Sequence, residues 1–476
     1  MTVPESGGRR PRLLVAIASY GEKNLAFLKR IIANYRSLPM QVDVVVLSEA
    51  PKDLGAGVKV LVGLPSKNPW SLPFAHKALF AENLDRYDLF IYSEDDIEVT
   101  ETNVQAFLRA TPHMQPDEIV GFLRFEVDKT GTRSMPEVHG RFHWKPESVG
   151  RRGPYTVAEF TNEHAAFYLL TQDQLRQAIR SGGFLRAPYE GRHDMLCTAA
   201  TDPYTSCGFR KVICVSAIGD FLVHHMPNRY VGQMGISLAS FQEQIQTLEA
   251  IGSRAHPAST LCPLESKLLH GRWSKLYYED SSEAALRAVP ADAKSILSIG
   301  CGWGAMEAAL QARGAAVTAV PLDSVIGAAA TRRHGFEMIY GDWNGCLDKL
   351  TGRKFDVVLM MNLLHLLPEP GRALEQSSRF LGTGGILVVG GPNFDRLPTW
   401  FRRTFGINDE RKLRNFDQSD INRCGPRTLR RHLRNAGLQV TAVEWLDHRL
   451  SERKLRAREM PLGSFTARDW LLKAKR

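Results

Sequence analysis

Residues 295–304 read Ser295-Ile296-Leu297-Ser298-Ile299-Gly300-Cys301-Gly302-Trp303-Gly304, a short apolar run broken by three alternating glycines. A continuous apolar run of this length, bounded by glycine and followed by an amphipathic helix, predicts a strand covered on both faces, as in a parallel sheet. Glycines just past the strand let a bound ligand approach the backbone closely, and the next helix starts where they end. The pattern recurs near the beginning of the chain. Leu13-Leu14-Val15-Ala16-Ile17-Ala18 is closed by Ser19-Tyr20-Gly21 and followed by a helical pattern through Tyr35. Two such starts in a chain of 476 residues predict two α/β domains.

Outward from residue 304, strands are expected over 316–320, 337–340, 355–361 and 385–389, separated by helices, with 438–443 last. In the first half, 42–47, 58–62, 89–92 and 119–122 read as short strands, with a helix over 103–110. Residues 252–263 are rich in Ser, Ala and Pro and follow a helix expected over 237–250. The expected division is a first domain over 1–250, a linker over 251–280, a second domain over 281–450 and a basic tail over 451–476.

Hydrophobic and charged fractions of 43% and 24% are ordinary for globular protein. No run approaches the roughly 20 apolar residues of a membrane-spanning helix. The opening MTVPESGGRRPR has no apolar stretch behind its arginines, so a secretory signal is not read and a cytoplasmic location is expected. The seven cysteines are scattered without a CxxC pair, which argues against a disulfide framework or a zinc knuckle. Much of the basic excess behind the net charge of +10 falls in 402–434 and 449–476. Solvated helix faces are the plainer reading of those segments; peripheral contact with anionic lipid, leaving the protein at a membrane surface, is the sharper one. No RNA-binding module is seen, and no nucleic-acid partner is expected.

Residues 87–96 read Tyr87-Asp88-Leu89-Phe90-Ile91-Tyr92-Ser93-Glu94-Asp95-Asp96. An apolar strand here delivers three consecutive acids to its carboxyl end, where open α/β sheets bind ligands. Clustered carboxylates repel one another, and a hard divalent cation holding a diphosphate would relieve them. Capping of the following helix is the plainer alternative. The opening LLVAIASYGEKNLAFLKRII and the later SEDDIEV together resemble the GT-A glycosyltransferases, in particular the large inverting family with a DxD-type motif. That resemblance implies a divalent cation (Mn or Mg) on a nucleotide-sugar donor, with Glu94 and Asp96 at the outer DxD positions. Tyr189-Glu190-Gly191-Arg192-His193-Asp194, followed by Asp220-Phe221-Leu222-Val223-His224-His225, is similar in order and spacing to the family's later motifs. It implies Asp194 as catalytic base, Glu190 as the reserve because His193 stands where the family carries Glu, and His224 as a metal ligand. The carboxylate would take the acceptor hydroxyl's proton while the cation holds the leaving diphosphate.

In the second half, SILSIGCGWG, Phe355-Asp356-Val357-Val358-Leu359-Met360-Met361-Asn362 and Phe380-Leu381-Gly382-Thr383-Gly384-Gly385 together resemble the class I methyltransferases over roughly 280–450. The resemblance implies a Rossmann-like fold and S-adenosylmethionine as cofactor, held by Gly300, Gly302 and Gly304 with Asn362 beyond the fourth strand. Two positions depart from the family. Ser298 stands where an acid precedes the loop, and Pro321 stands where an acid grips the ribose. Asp323 is the candidate substitute at the ribose, and Asp342 keeps the place that contacts adenine. His365 is a candidate base for a hydroxyl acceptor or, alternatively, a packing residue.

Together these readings lead to the expectation of a bifunctional glycan-modifying enzyme. It would transfer a sugar from a nucleotide sugar to a glycan or glycolipid acceptor and methylate a sugar hydroxyl. A small-molecule methyltransferase with an N-terminal acceptor-recognition domain, and a non-catalytic glycan-binding scaffold, are the alternatives.

Overall fold

The computed structural model describes residues 10–446 and 466–476. The chain forms two compact units, Met1–Ser253 and Arg254–Arg476. Both are α/β with mixed sheets. Among the described residues no helix is long and apolar enough to cross a membrane.

The first unit opens with β1 (Arg12–Ala18), α1 (Leu25–Arg36), β2 (Gln41–Ser48), β3 (Val58–Val62), α2 (Ala75–Glu82) and β4 (Leu89–Glu94). Then come β5 (Ile97–Glu98), α3 (Glu101–Ala110), β6 (Glu118–Val120), β7 (Leu123–Val127) and β8 (Arg133–Met135). The hairpin β9 (Trp144–Arg152) and β10 (Tyr155–Phe160) leads to β11 (Phe167–Thr171), α4 (Gln172–Arg180) and α5 (Met195–Thr205). Last are β12 (Arg210–Cys214), β13 (Leu222–His225), β14 (Ile236–Ser237) and α6 (Leu238–Gly252). The main sheet runs β11-β4-β1-β2-β3, with β1 to β4 parallel and β11 antiparallel to β4. Leu13 to Ile17 and Leu89 to Tyr92 are buried. Their continuous apolar runs are what a sheet covered on both faces requires.

The second unit contains α7 (Glu283–Ala288), β15 (Ser295–Cys301), α8 (Ala305–Gln311), β16 (Ala316–Pro321), α9 (Ser324–His334) and β17 (Glu337–Met338). It continues through α10 (Trp343–Lys349), β18 (Phe355–Met361), α11 (Pro370–Ser378), β19 (Leu381–Pro392) and α12 (Leu397–Phe405). It ends with α13 (Phe416–Ser419), α14 (Pro426–Asn435), β20 (Gln439–Leu446) and β21 (Asp469–Lys475). The seven strands lie in the order β17-β16-β15-β18-β19-β21-β20, and β21 is antiparallel to both neighbours.

Two expected boundaries change. Residues 254–280 are part of the second unit, not a linker, because Leu261, Leu264, Leu268 and Tyr277 are buried in its core. Nor is the end of the chain a solvated tail throughout. Trp470, Leu471, Leu472 and Ala474 are buried, and β21 fills the position between β19 and β20. The basic run over 447–465 lies outside the described residues.

Candidate functional sites

In the first unit, β4 carries its acids to the carboxyl edge of the parallel strands, where β1 also ends in the register Ala18↔Glu94. Asn24, just before α1, donates through Nδ2 to Asp95 Oδ1 at 2.8 Å and to Asp96 Oδ2 at 3.2 Å. Asp95 and Asp96 are buried. Desolvation pushes the Glu94 carboxyl up to about 8, reinforced by Asp96 and opposed by Arg124. Asp95 is raised as well, chiefly by burial. Asp194 adds to the rise at Glu94, so the candidate base stands within electrostatic reach of the triplet. It also caps α5, with Oδ1 accepting from Cys197 N at 2.9 Å. Glu190 is exposed.

The histidine that faces the acids is His225. Its Nε2 lies 3.6 Å from Asp96 Oδ2 and its Nδ1 lies 2.6 Å from the buried Glu126 Oε1. The contact between Nδ1 and Glu126 orients the ring so that its Nε2 edge is turned toward Asp96. His224 points the other way. Its Nε2 is 2.9 Å from Asn228 Oδ1, its Nδ1 is 3.7 Å from Glu98, and its ring stacks on Phe125. Successive strand residues face opposite sides, and the register His224↔Glu98, His225↔Ile97 fixes which side each takes. Glu94, Asp96 and His224 are therefore not gathered as expected. Among the described residues no three His, Cys, Asp or Glu side chains form a metal-holding group. Asp96 Oδ1 is buried with no hydrogen-bond partner among the described residues, and Arg229 Nη2 lies 3.8 Å from Asp96 Oδ2.

In the second unit, a cavity of about 420 Å³ lies over the glycine loop, within the usual size range of small-molecule sites. Gly300, Gly302 and Gly304 line it, together with Asn362, Lys275, Glu279, Asp280 and Asp469. Gly300 and Gly304 hold φ near +90°, which only glycine adopts without strain. The segment before α7 packs on the loop: Trp303 N donates to Tyr277 O at 3.0 Å and Trp303 Nε1 to Glu279 O at 2.8 Å. Glu279 is fixed from two sides, accepting from Lys275 Nζ at 2.6 Å and from Asn362 Nδ2 at 3.1 Å. Lys275, buried, also donates to Met361 O.

Where the resemblance implies a strand acid, Ser298 has a carboxylate neighbour. Ser298 Oγ donates to Glu307 Oε1 at 2.5 Å, and both side chains are buried and line the cavity. Glu307 stands in the first turn of α8, where a carboxylate also meets the positive end of the helix. Sequence reading passed over Glu279, Lys275 and Glu307. The acid in the first turn after the glycine loop was the available signal for the last.

Asp323 and Asp342 do not line the cavity. Asp323 is buried and caps α9, with Oδ1 accepting from Val325 N and Ile326 N at 2.8 and 2.9 Å. Asp342 caps α10 by accepting from Gly345 N at 2.8 Å. Residues just before 264 cross the end of β16. Leu261 N donates to Leu322 O, Ser324 N to Ser259 O, and His256 Nε2 lies 3.1 Å from Ser324 O. His365 also lies off the cavity lining. Its Nε2 is 2.8 Å from Trp273 O, and burial pushes it down to about 4, which suits packing rather than proton removal from an acceptor.

With that geometry in place, residues 273–443 match the family described as Methyltransferase domain, entirely within the second unit. The C-terminal region carries a methyltransferase domain of Rossmann-like fold. The ubiquinone biosynthesis O-methyltransferase of Xylella fastidiosa (strain 9a5c) is 32% identical over 108 residues, 22% of this chain. The aligned stretch spans 44% of that relative's length. Among solved structures, the N-methyltransferase NodS of Bradyrhizobium japonicum WM9 with S-adenosyl-L-homocysteine is 18% identical, covering 40% of this chain and 83% of that one, with a TM-score of 0.28. The magnesium protoporphyrin IX methyltransferase of Synechocystis PCC 6803 is 15% identical, covering 38% and 73%, with a TM-score of 0.28.

Proposed function

We propose that the second unit is an S-adenosylmethionine-dependent methyltransferase whose cofactor lies in the cavity over the glycine loop. The observation that carries this is the cavity's composition: three loop glycines, the carboxylates Glu279, Asp280, Asp469 and Glu307, and the aromatic Tyr278, Trp303 and Trp470. Carboxylates and aromatic faces suit a ligand that has an ammonium group, a sulfonium, hydroxyls and a flat base. Bound there, the cofactor supplies an electrophilic methyl group. The chain's own part is positioning: Lys275 and Asn362 hold Glu279 in place, and the loop lets the ligand approach the backbone. Calorimetry with S-adenosylhomocysteine tests the assignment, and absence of binding refutes it.

The segment hydrogen-bonded across the end of β16 favours a second reading, a methyltransferase fold that serves as a scaffold. Under that reading neither S-adenosylhomocysteine nor S-adenosylmethionine binds at millimolar concentration.

For the first unit we propose transfer of a sugar from a nucleotide-sugar donor to a glycan or glycolipid acceptor, by the GT-A mode, in the same biosynthesis. Support comes from the strand order with its antiparallel β11, the buried acids at the end of β4, and Asp194 close to Glu94. Asp96, with its unpartnered Oδ1, and His225, oriented by Glu126, are a chemically suitable pair of donors for a divalent cation. A diphosphate would complete the shell, and the cation would stabilise the leaving group's charge. Asp194 would accept the acceptor's proton. Release of nucleoside diphosphate from a panel of nucleotide sugars with manganese tests this reading, and no release from any donor refutes it. A sugar hydroxyl is the proposed methyl acceptor, reached more readily when both units share one product.

A further inference from the structure

Amphipathic helices of folded proteins turn their apolar stripe inward. In α12 the stripe faces outward. Thr399 is the buried residue of this helix, and Arg403, one turn on, reaches back to Phe394 O. Leu397, Trp400, Phe401 and Phe405, at spacings of three and four residues, fall on the opposite face. With Ile407 they are between 42% and 61% exposed. Phe401 and Phe405 pack on each other with ring centroids 4.4 Å apart, so the stripe is contiguous. Single exposed apolar side chains are ordinary, but a contiguous aromatic stripe marks a surface with an occupant.

The charge around the stripe says which occupant. Between 396 and 414 there are six basic residues, Arg396, Arg402, Arg403, Arg411, Lys412 and Arg414, against two acids. Glu410 is buried against Arg272 and lies 3.8 Å from Arg402 Nη1. Asp409 Oδ2 accepts from Leu269 N at 3.0 Å and from Lys412 Nζ at 3.3 Å. Among the described residues this leaves Arg396, Arg403, Arg411 and Arg414 without an ion pair to either acid. A second copy docking through the same stripe would bring two basic rims together, whereas an anionic bilayer answers both the aromatic face and the basic rim.

We infer that the outward face of α12, with Ile407 and the flanking basic side chains, is a docking surface for an anionic lipid bilayer. The aromatic side chains enter the headgroup–acyl boundary, and the arginines meet lipid phosphates. A short loop joins α12 to β19, and Gly391 near the end of β19 lines the cavity. Docking would therefore bring the methyltransferase site to a surface on which a lipid-linked acceptor is presented.

The test is co-sedimentation of the full chain with vesicles of phosphatidylglycerol and phosphatidylcholine, and with phosphatidylcholine alone. The expected result is binding about tenfold or more tighter to the anionic vesicles, weakened by salt. The triple variant Trp400→Ser, Phe401→Ser, Phe405→Ser should lose about tenfold or more of that binding while keeping its circular dichroism. If that variant misfolds, Arg402→Glu with Arg411→Glu and Lys412→Glu should give the same loss. Equal binding to neutral vesicles, or undiminished binding by either correctly folded variant, overturns the proposal. So does a concentration-dependent dimer that the aromatic substitutions abolish in a chain that ignores vesicles.

Discussion

Gly302→Ala is the sharpest structural test of the way the segment before α7 seals the glycine loop. A Cβ at residue 302 would sit 2.3 Å from the carbonyl oxygen of Tyr277, inside the 3.0 Å that real Cβ contacts respect. The obstacle is backbone, so no rotamer change relieves it. Either the loop or residues 277–279 must move, which strains the two bonds from Trp303 to Tyr277 O and Glu279 O. Overpacking costs about 1–3 kcal/mol and a weakened neutral hydrogen bond about 0.5–1.5 kcal/mol, so a loss of about 2–4 kcal/mol is expected. For a unit of this size that lowers the melting temperature by roughly 5–15 °C. Because Glu279 lines the cavity, affinity for S-adenosylhomocysteine should fall as well. Calorimetric melting and isothermal titration of the same preparation read both effects. A variant that melts and binds as the parent does would refute the close packing of this segment on the loop.

Three further outcomes follow from individual side chains. Glu279→Gln should weaken S-adenosylhomocysteine binding by about tenfold to a hundredfold, the worth of one charge-assisted hydrogen bond, and an unchanged titration would remove Glu279 from the site. Glu94 holds its proton up to about pH 8 when folded but releases it near its usual 4.5 when unfolded, so stability conferred at low pH is lost as pH rises through that window. Glu94→Gln should flatten that slope in urea titrations, and a slope identical to the parent's would contradict the burial of the acid. His365 is the opposite case: neutral in the fold down to about 4 against a usual 6.5, it costs stability as pH falls between those values. His365→Gln should flatten the acid limb of stability and leave the pH dependence of any methyl transfer unchanged; a shifted rate profile would restore it as a candidate base.

The sequence by itself determined the alternation of strands and helices, the glycine loop at 300–304 and the acids at the end of β4. Each is a local pattern: apolar runs of strand length, glycines where φ must be positive, carboxylates contiguous along the chain. What was decided only in three dimensions depends on which side chains distant segments bring together. His225 rather than His224 faces Asp96 because a strand's register with its neighbour selects the face, and one residue's slip inverts it. Glu307 stands beside Ser298 because α8 folds back along β15; its place in the first turn after the glycine loop could be read along the chain, but its contact with the strand could not. Asp323 and Asp342 were read as ligand contacts, but each caps the helix that begins just after it, since orphan backbone N–H groups compete for the same carboxylates. The C-terminal strand was the least legible of all. The short, lysine-bearing β21 becomes an interior strand only because β19 and β20 leave a place between them, and its partners on β19 lie about 80 residues earlier in the chain.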